Sequence, residues 1–96
     1  MTSEQMRVCR AVLTLRNRDG LHARPAHLWV STANSFASRL RVGREGEEKV
    51  DGKSIMGIMM LAAEHGTRLE VESEGPDCEE QVRALRELVE SGFGEG

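Results

Sequence analysis

The apolar positions begin with a strict alternation. Between Arg7 and Leu15, Cys9, Ala11, Leu13 and Leu15 alternate with Val8, Arg10, Val12 and Thr14. A period of two predicts a half-buried strand, with the set that lacks Arg10 facing inward. Asn17-Arg18-Asp19-Gly20 then has turn chemistry, since Asn and Asp bond locally and Gly takes a positive φ without a Cβ clash. Beyond it the period changes. Ala26, Trp29, Val30, Ala33 and Ala37 recur at helical spacing from a start near Ala23. Pro25 fits only the first turn of that helix, where a missing N–H costs nothing. Trp29 belongs to the stripe and is expected in the core. Ser38 to Val42 and Glu47 to Val50 predict two short strands, joined as a hairpin around Gly43 and Gly46.

The second half repeats the mixture. Gly52-Lys53-Ser54 leads into the uncharged run Ile55 to Leu61, with Ser54 placed to cap a short helix. Gly66 is expected to close that helix, with His65 near its negative end. Thr67 to Ser73 predicts a strand with Leu69 and Val71 inward and Arg68, Glu70 and Glu72 outward. Pro76 and Asp77 open a last helix, with Asp77 and Glu80 at capping-box spacing. Cys78, Val82, Leu85 and Val89 form its apolar stripe. The order is strand, helix, strand, strand, short helix, strand, helix. Strands this short and closely paired do not suit a doubly wound parallel sheet. They predict an α+β fold, a mostly antiparallel sheet with helices layered on one face. With no repeat or linker, residues 1–96 read as one domain.

Composition and charge narrow the classes. The 96 residues are 39% apolar and 30% charged, as in a globular domain rather than a disordered chain. No apolar stretch is long enough to cross a bilayer, and Met1 to Arg10 lacks the apolar run of a secretory signal. Neither membrane insertion nor export is expected, so the location predicted is cytoplasmic. Cys9 and Cys78 match no metal or redox spacing and are expected as free, packed thiols, with no metal or cofactor. The net charge of −3 hides an asymmetry. Residues 1–44 carry eight Arg against Glu4 and Asp19, a balance of +6, whereas residues 45–96 stand at −9. Because the halves fold together, a polarised surface is predicted. Net acidity, one Trp, two Phe and no Tyr argue against nucleic-acid binding.

The candidate chemistry sits at Gly20-Leu21-His22-Ala23-Arg24-Pro25. If the helix starts at Ala23, His22 immediately precedes it, and free amides at the positive helix end point toward its imidazole. Such a place stabilises an anion. Arg24 adds a charge-assisted contact to phosphate oxygens, and Pro25 stiffens the turn. Gly20 and Ala23 leave room for a partner's active site. An imidazole is largely neutral near pH 7 and therefore nucleophilic. The six residues thus describe a nucleophile beside a phosphoryl cradle. Spacing alone equally allows a histidine that merely caps a helix. Gly52-Lys53-Ser54 hints at a nucleotide-binding loop, but that loop needs Gly where Glu47 stands.

Gly-Leu-His-Ala-Arg-Pro-Ala at 20–26, followed by Lys-Ser-Ile-Met-Gly-Ile-Met at 53–59, closely resembles HPr. This is the histidine-containing phosphocarrier family of the bacterial phosphoenolpyruvate-dependent phosphotransferase system. The likeness runs from about Arg7 to Phe93. It implies an open-faced β-sandwich, a four-stranded antiparallel sheet with three helices on one side. It implies that Nδ1 of His22 takes a phosphoryl group from phosphorylated enzyme I and passes it to a histidine of a IIA-type protein. Arg24 matches the arginine that steadies the group. Such a protein is a monomeric carrier without a cofactor, not a turnover enzyme. Ser54 matches the serine that a dedicated kinase/phosphorylase modifies in many members. Leu21, Ala23, Pro25, Met56 and Met59 are the expected partner contacts. Two departures stand out: no Lys or Arg lies between Arg24 and Arg39, where many members carry lysines for enzyme I, and His27 replaces a small or apolar residue. Glu70 to Pro76 and Ser91-Gly92-Phe93 look like the nitrogen-related branch, often called NPr. Lys-Ser-Ile-Met-Gly looks like serine-regulated HPr. A sugar-transport carrier and a purely regulatory protein that binds its targets are both open at this point.

Overall fold

The alternating run at the start of the chain becomes strand β1, Val8–Thr14, in the computed structural model, which describes residues 7–95. Helix α1 follows at Ala23–Ala33, then strands β2 at Arg39–Arg44 and β3 at Val50–Asp51. Helix α2 spans Ile55–Met60, strand β4 Arg68–Glu74 and helix α3 Cys78–Glu90, before a 3-10 turn at Gly92–Gly94. The sheet order is β1-β4-β2-β3, and every pairing is antiparallel. The last strand in sequence therefore sits between β1 and β2, with Val71 opposite both Ala11 and Val42. The inward residues Leu13, Leu40, Val42, Leu69 and Val71 share one buried cluster with Trp29 of α1, Ile58 of α2 and Leu85 and Val89 of α3. All three helices thus cover one face, as expected. Full burial of each large apolar side chain is worth about 1.5–3 kcal/mol. Trp29 has no exposed surface, and its indole Nε1 donates to the Gly52 carbonyl at 3.1 Å, so no polar atom is stranded there.

Several boundaries depart from expectation. Of the two glycines expected at the hairpin, Gly46 lies in its turn with Glu45 while Gly43 stays in the strand, and β3 shrinks to two residues. Glu47, Glu48 and Lys49 offer nothing apolar to bury, so pairing begins only where Val50 packs against the core. Gly43 stays inside β2 because a Cβ there would sit 2.7 Å from the Glu48 carbonyl oxygen. Helix α1 stops at Ala33, leaving Ala37 outside it and exposed. Helix α2 is not closed by Gly66. It ends at Met60, because Leu61 and Ala63 are both drawn into the core and Ala62 turns the chain with φ 48°. His65 consequently lies in the following turn, where its Nδ1 is 3.2 Å from the Asn17 carbonyl oxygen. Asp77 and Glu80 form no capping box. The Asp77 carboxylate accepts instead from the Ala37 and Ser38 amides at 2.9 and 2.8 Å and from the Ser38 hydroxyl, tying α3 to the α1–β2 connection. Cys9 and Cys78 are free thiols, partly and fully buried. No helix among the described residues is long and apolar enough to cross a membrane. Residues 1–6, part of the segment read as lacking a secretory signal, lie outside the described residues.

Candidate functional site

The site is built where β1 hands the chain to α1. Gly20 has φ +64°, and a Cβ there would sit 2.3 Å from the Ala63 carbonyl oxygen. Gly20 is thus required by the segment after α2. Leu21 donates its amide to the same carbonyl at 2.9 Å, and its side chain is buried. His22 is the extended residue before α1, with φ −76° and ψ −173°, and its carbonyl accepts from the Ala26 amide at 3.0 Å. Pro25 has no N–H, so the amides of Ala23 and Arg24 are the free donors of the first turn.

The imidazole makes no cap bond to its own helix. Its Nε2 lies 3.1 Å from Oε2 and 3.4 Å from Oε1 of Glu95. Asn17, fully buried, donates its Nδ2 hydrogens to the Gly20 carbonyl at 2.7 Å and to Glu95 Oε1 at 3.0 Å. Its Oδ1 has no hydrogen-bond partner among the described residues. The Glu95 carboxyl is held below its ordinary value, chiefly by the Asn17 hydrogen bond, then by His22 and by the nearby charge of Arg24. His22 Nδ1 makes no hydrogen bond among the described residues and is left on the side away from the carboxylate. The His22 side chain is 41% exposed. A surface cavity of about 430 Å³ lies instead along β2 and β3 and is lined by Arg39, Arg41, Lys49 and Lys53 among others.

Helix α2 lies against α1 in the opposite sense. The Leu21–Ala63 bond joins the start of α1 to the end of α2, while Asn34 Nδ2 donates to the Lys53 carbonyl at 3.2 Å at the other end. Ser54 sits at that far end. Its hydroxyl accepts from the Gly57 amide at 3.2 Å, a true N-cap. The eleven residues of α1 separate it from His22 by about 16 Å at 1.5 Å per residue. Ile58 is buried, whereas Met56, Met59 and Met60 are exposed by 72%, 45% and 75%.

The residues expected from sequence therefore divide. His22, Ala23 and Arg24 come together on the surface; Leu21 and Pro25 are buried beneath them; Met56 and Met59 are exposed on α2; Ser54 stands apart. The sequence marks Asn17 only as a turn residue and does not single out Glu95. The one available signal for Glu95 was the Gly92-Phe93-Gly94 segment before it, unusual in placing an aromatic residue between glycines. His27 is exposed, and no cluster of three or more metal-ligating side chains exists among the described residues.

Comparison with known proteins agrees with this architecture. A family model described as the PTS HPr component phosphorylation site matches residues 9–91. The chain is 48% identical over 84 residues to the phosphocarrier protein HPr of Pseudomonas aeruginosa, covering 88% of this chain and 93% of that one. It is 38% identical over 88 residues to the multiphosphoryl transfer protein of Vibrio cholerae, covering 90% of this chain and 22% of that longer protein. A crystal structure of HPr from Thermoanaerobacter tengcongensis superposes with a TM-score of 0.87 at 44% identity, covering 92% of this chain and 98% of the other. Sequence match, strand order and helix placement converge: the chain belongs to the HPr family, the phosphocarrier proteins of the phosphotransferase system.

Proposed function

We propose that His22 is the residue that carries the phosphoryl group, accepting it from phosphorylated enzyme I and passing it to a histidine of a IIA-type protein. The observation that carries this reading is the setting of Nδ1. It makes no hydrogen bond among the described residues, the His22 side chain is 41% exposed, and the residue stands at the start of α1 with Arg24 in the first turn. Transfer forms one N–P bond as the donor's N–P bond breaks, so the carrier's task is alignment and charge stabilisation. No cofactor enters this step. Enzyme I and the acceptor dock over Ala23 and the exposed Met56 and Met59, a patch that Met60 extends. Leu21 and Pro25 support that surface from below rather than meeting the partner. The protein acts as a monomer in the cytoplasm, as a single domain.

Ser54 is the proposed regulatory site for an HPr kinase/phosphorylase. A phosphate at this N-cap is compatible with the helix end, and it adds about −1.5 to −2 charges beside the methionine patch. At its distance from His22 it acts on docking rather than on the ring. The acceptor decides between service to sugar uptake and a purely regulatory branch. Purified IIA-type proteins of each branch assign it by which is labelled faster. The central test is incubation with enzyme I and labelled phosphoenolpyruvate. Acid-labile label is expected on the parent and absent from His22→Ala, and equal labelling of that variant would falsify the assignment.

A further inference from the structure

We propose that Glu95 is a positioning residue for the phosphoryl step: its carboxylate fixes the tautomer and orientation of His22 so that Nδ1 is the nucleophile. This deepens the phosphocarrier reading and rests on it. An ionised carboxylate only accepts hydrogen bonds, so the ring nitrogen facing it must carry the hydrogen. That nitrogen is Nε2, at 3.1 Å. A neutral imidazole has a single N–H, so Nδ1 then bears the free lone pair. When Nδ1 attacks phosphorus, the donor's N–P bond breaks and its electron pair returns to the donor nitrogen. His22 Nε2 keeps its proton, and the ring gains positive charge that the adjacent carboxylate stabilises. The same logic holds wherever a carboxylate orients a catalytic imidazole.

The carboxylate is held there by two devices. Asn17, fully buried, donates to Glu95 Oε1 at 3.0 Å while its other hydrogen is bound to the Gly20 carbonyl, so the amide group cannot turn away without losing both. The chain end is bent back by three successive left-handed residues, Gly92 at φ 63°, Phe93 at 57° and Gly94 at 72°. Left-handed backbone is unfavourable for phenylalanine. It is retained because the ring is locked in the core, only 2% exposed. Phe93 is thus the anchor, Gly92 and Gly94 the bends, and Glu95 the group delivered.

The test compares the parent with Glu95→Ala and Glu95→Gln, both of which leave the Phe93 anchor in place. Ring nitrogen shifts of His22 are recorded by ¹⁵N NMR on the unphosphorylated protein at about pH 8.5, above the range in which imidazoles ordinarily titrate. The parent is expected to be protonated at Nε2 alone. Glu95→Ala should show a mixture with the Nδ1–H form. Glu95→Gln has one acceptor oxygen for two donors, Asn17 Nδ2 and His22 Nε2, and should show a tautomer mixture between the parent and Glu95→Ala. Initial phosphoryl transfer from enzyme I should fall roughly tenfold or more in Glu95→Ala, tenfold being the lower end of the effect of removing a group that orients a metal-bound imidazole. The KM for the carrier should be little changed. Glu95→Gln should lie between. Identical ring signals in parent and Glu95→Ala, or identical transfer rates, would overturn the proposal. A parent that is never labelled would instead sink the phosphocarrier reading, with the tautomer still decided by the ring signals.

Discussion

Single residues show how the same side-chain chemistry can be active or silent according to its surroundings. His22 is exposed, oriented by one carboxylate and free at one nitrogen. Cys78 is the opposite case. It has no exposed surface, and its thiol is pushed up to about 11, by burial first and then by the neighbouring Cys9 thiol. Since the thiolate is the reactive form, Cys78 is inert in the native protein. Iodoacetamide at about pH 8 should leave Cys78 unmodified until denaturant is added. Equal modification of folded and unfolded protein would contradict this placement. The depressed Glu95 carboxyl works in the other direction on the pH scale. A lowered folded value means that the Asn17–Glu95–His22 contact is present above the ordinary carboxylate value of 4.5 and is lost as pH falls through the lowered one. Glu95 is exposed, so the effect concerns the geometry of the site rather than the stability of the fold.

At the scale of elements, α2 makes the most specific claim. It is only six residues long, too short to stand alone, and is held by Ile58 in the core and by the Ser54 cap. Ser54→Ala should cost about 1 kcal/mol in a urea titration. Ser54→Asp should keep the fold, since Asp caps as well and suits the helix end, yet slow docking by enzyme I. Loss of the fold in Ser54→Asp would argue against a phosphate being tolerated there. The elements legible in the sequence were those with strong periods: β1, the start of α1, β4 and the apolar stripe of α3 all stand where alternation or helical spacing put them. The illegible parts depended on long-range contacts. Asp77 looks like a cap from its neighbours, yet it bonds Ala37 and Ser38, about forty residues earlier. Of the hairpin glycines, Gly46 marks the turn, whereas Gly43 answers to the Glu48 carbonyl, a contact its neighbours in sequence do not reveal. In the site, His22, Ala23 and Arg24 were legible as one motif. Glu95 was not, since 73 positions separate it from His22 and only the folded tail brings them together.

Over the whole molecule, part of the charge asymmetry of +6 and −9 is cancelled within the sheet. The acidic strand β4 lies between the arginines of β1 and β2, with Arg10 and Arg41 both opposite Glu72. Arg10–Glu72 closes to 3.1 Å and Arg39–Glu74 to 3.9 Å, and Arg7 pairs with Glu79. Such exposed pairs are worth about 0–1 kcal/mol each, so their main effect is local cancellation of charge. Among the described residues, Arg16, Arg18 and Arg24 have no carboxylate within ion-pair distance, and they flank the His22 end. Asp19, Glu64 and Glu95 stand at the same end, so any steering of acidic partners rests on these three unpaired arginines rather than on a net local charge. The association rate with enzyme I should therefore fall as salt rises, and a salt-independent rate would make these arginines incidental. The central claim, that His22 carries the phosphoryl group, is tested most directly by ³¹P NMR of the protein after treatment with enzyme I and phosphoenolpyruvate. The expected result is one phosphohistidine resonance of the Nδ1 type, absent in His22→Ala. A phosphohistidine resonance that persists in that variant, or phosphate found only on another residue, would contradict the account.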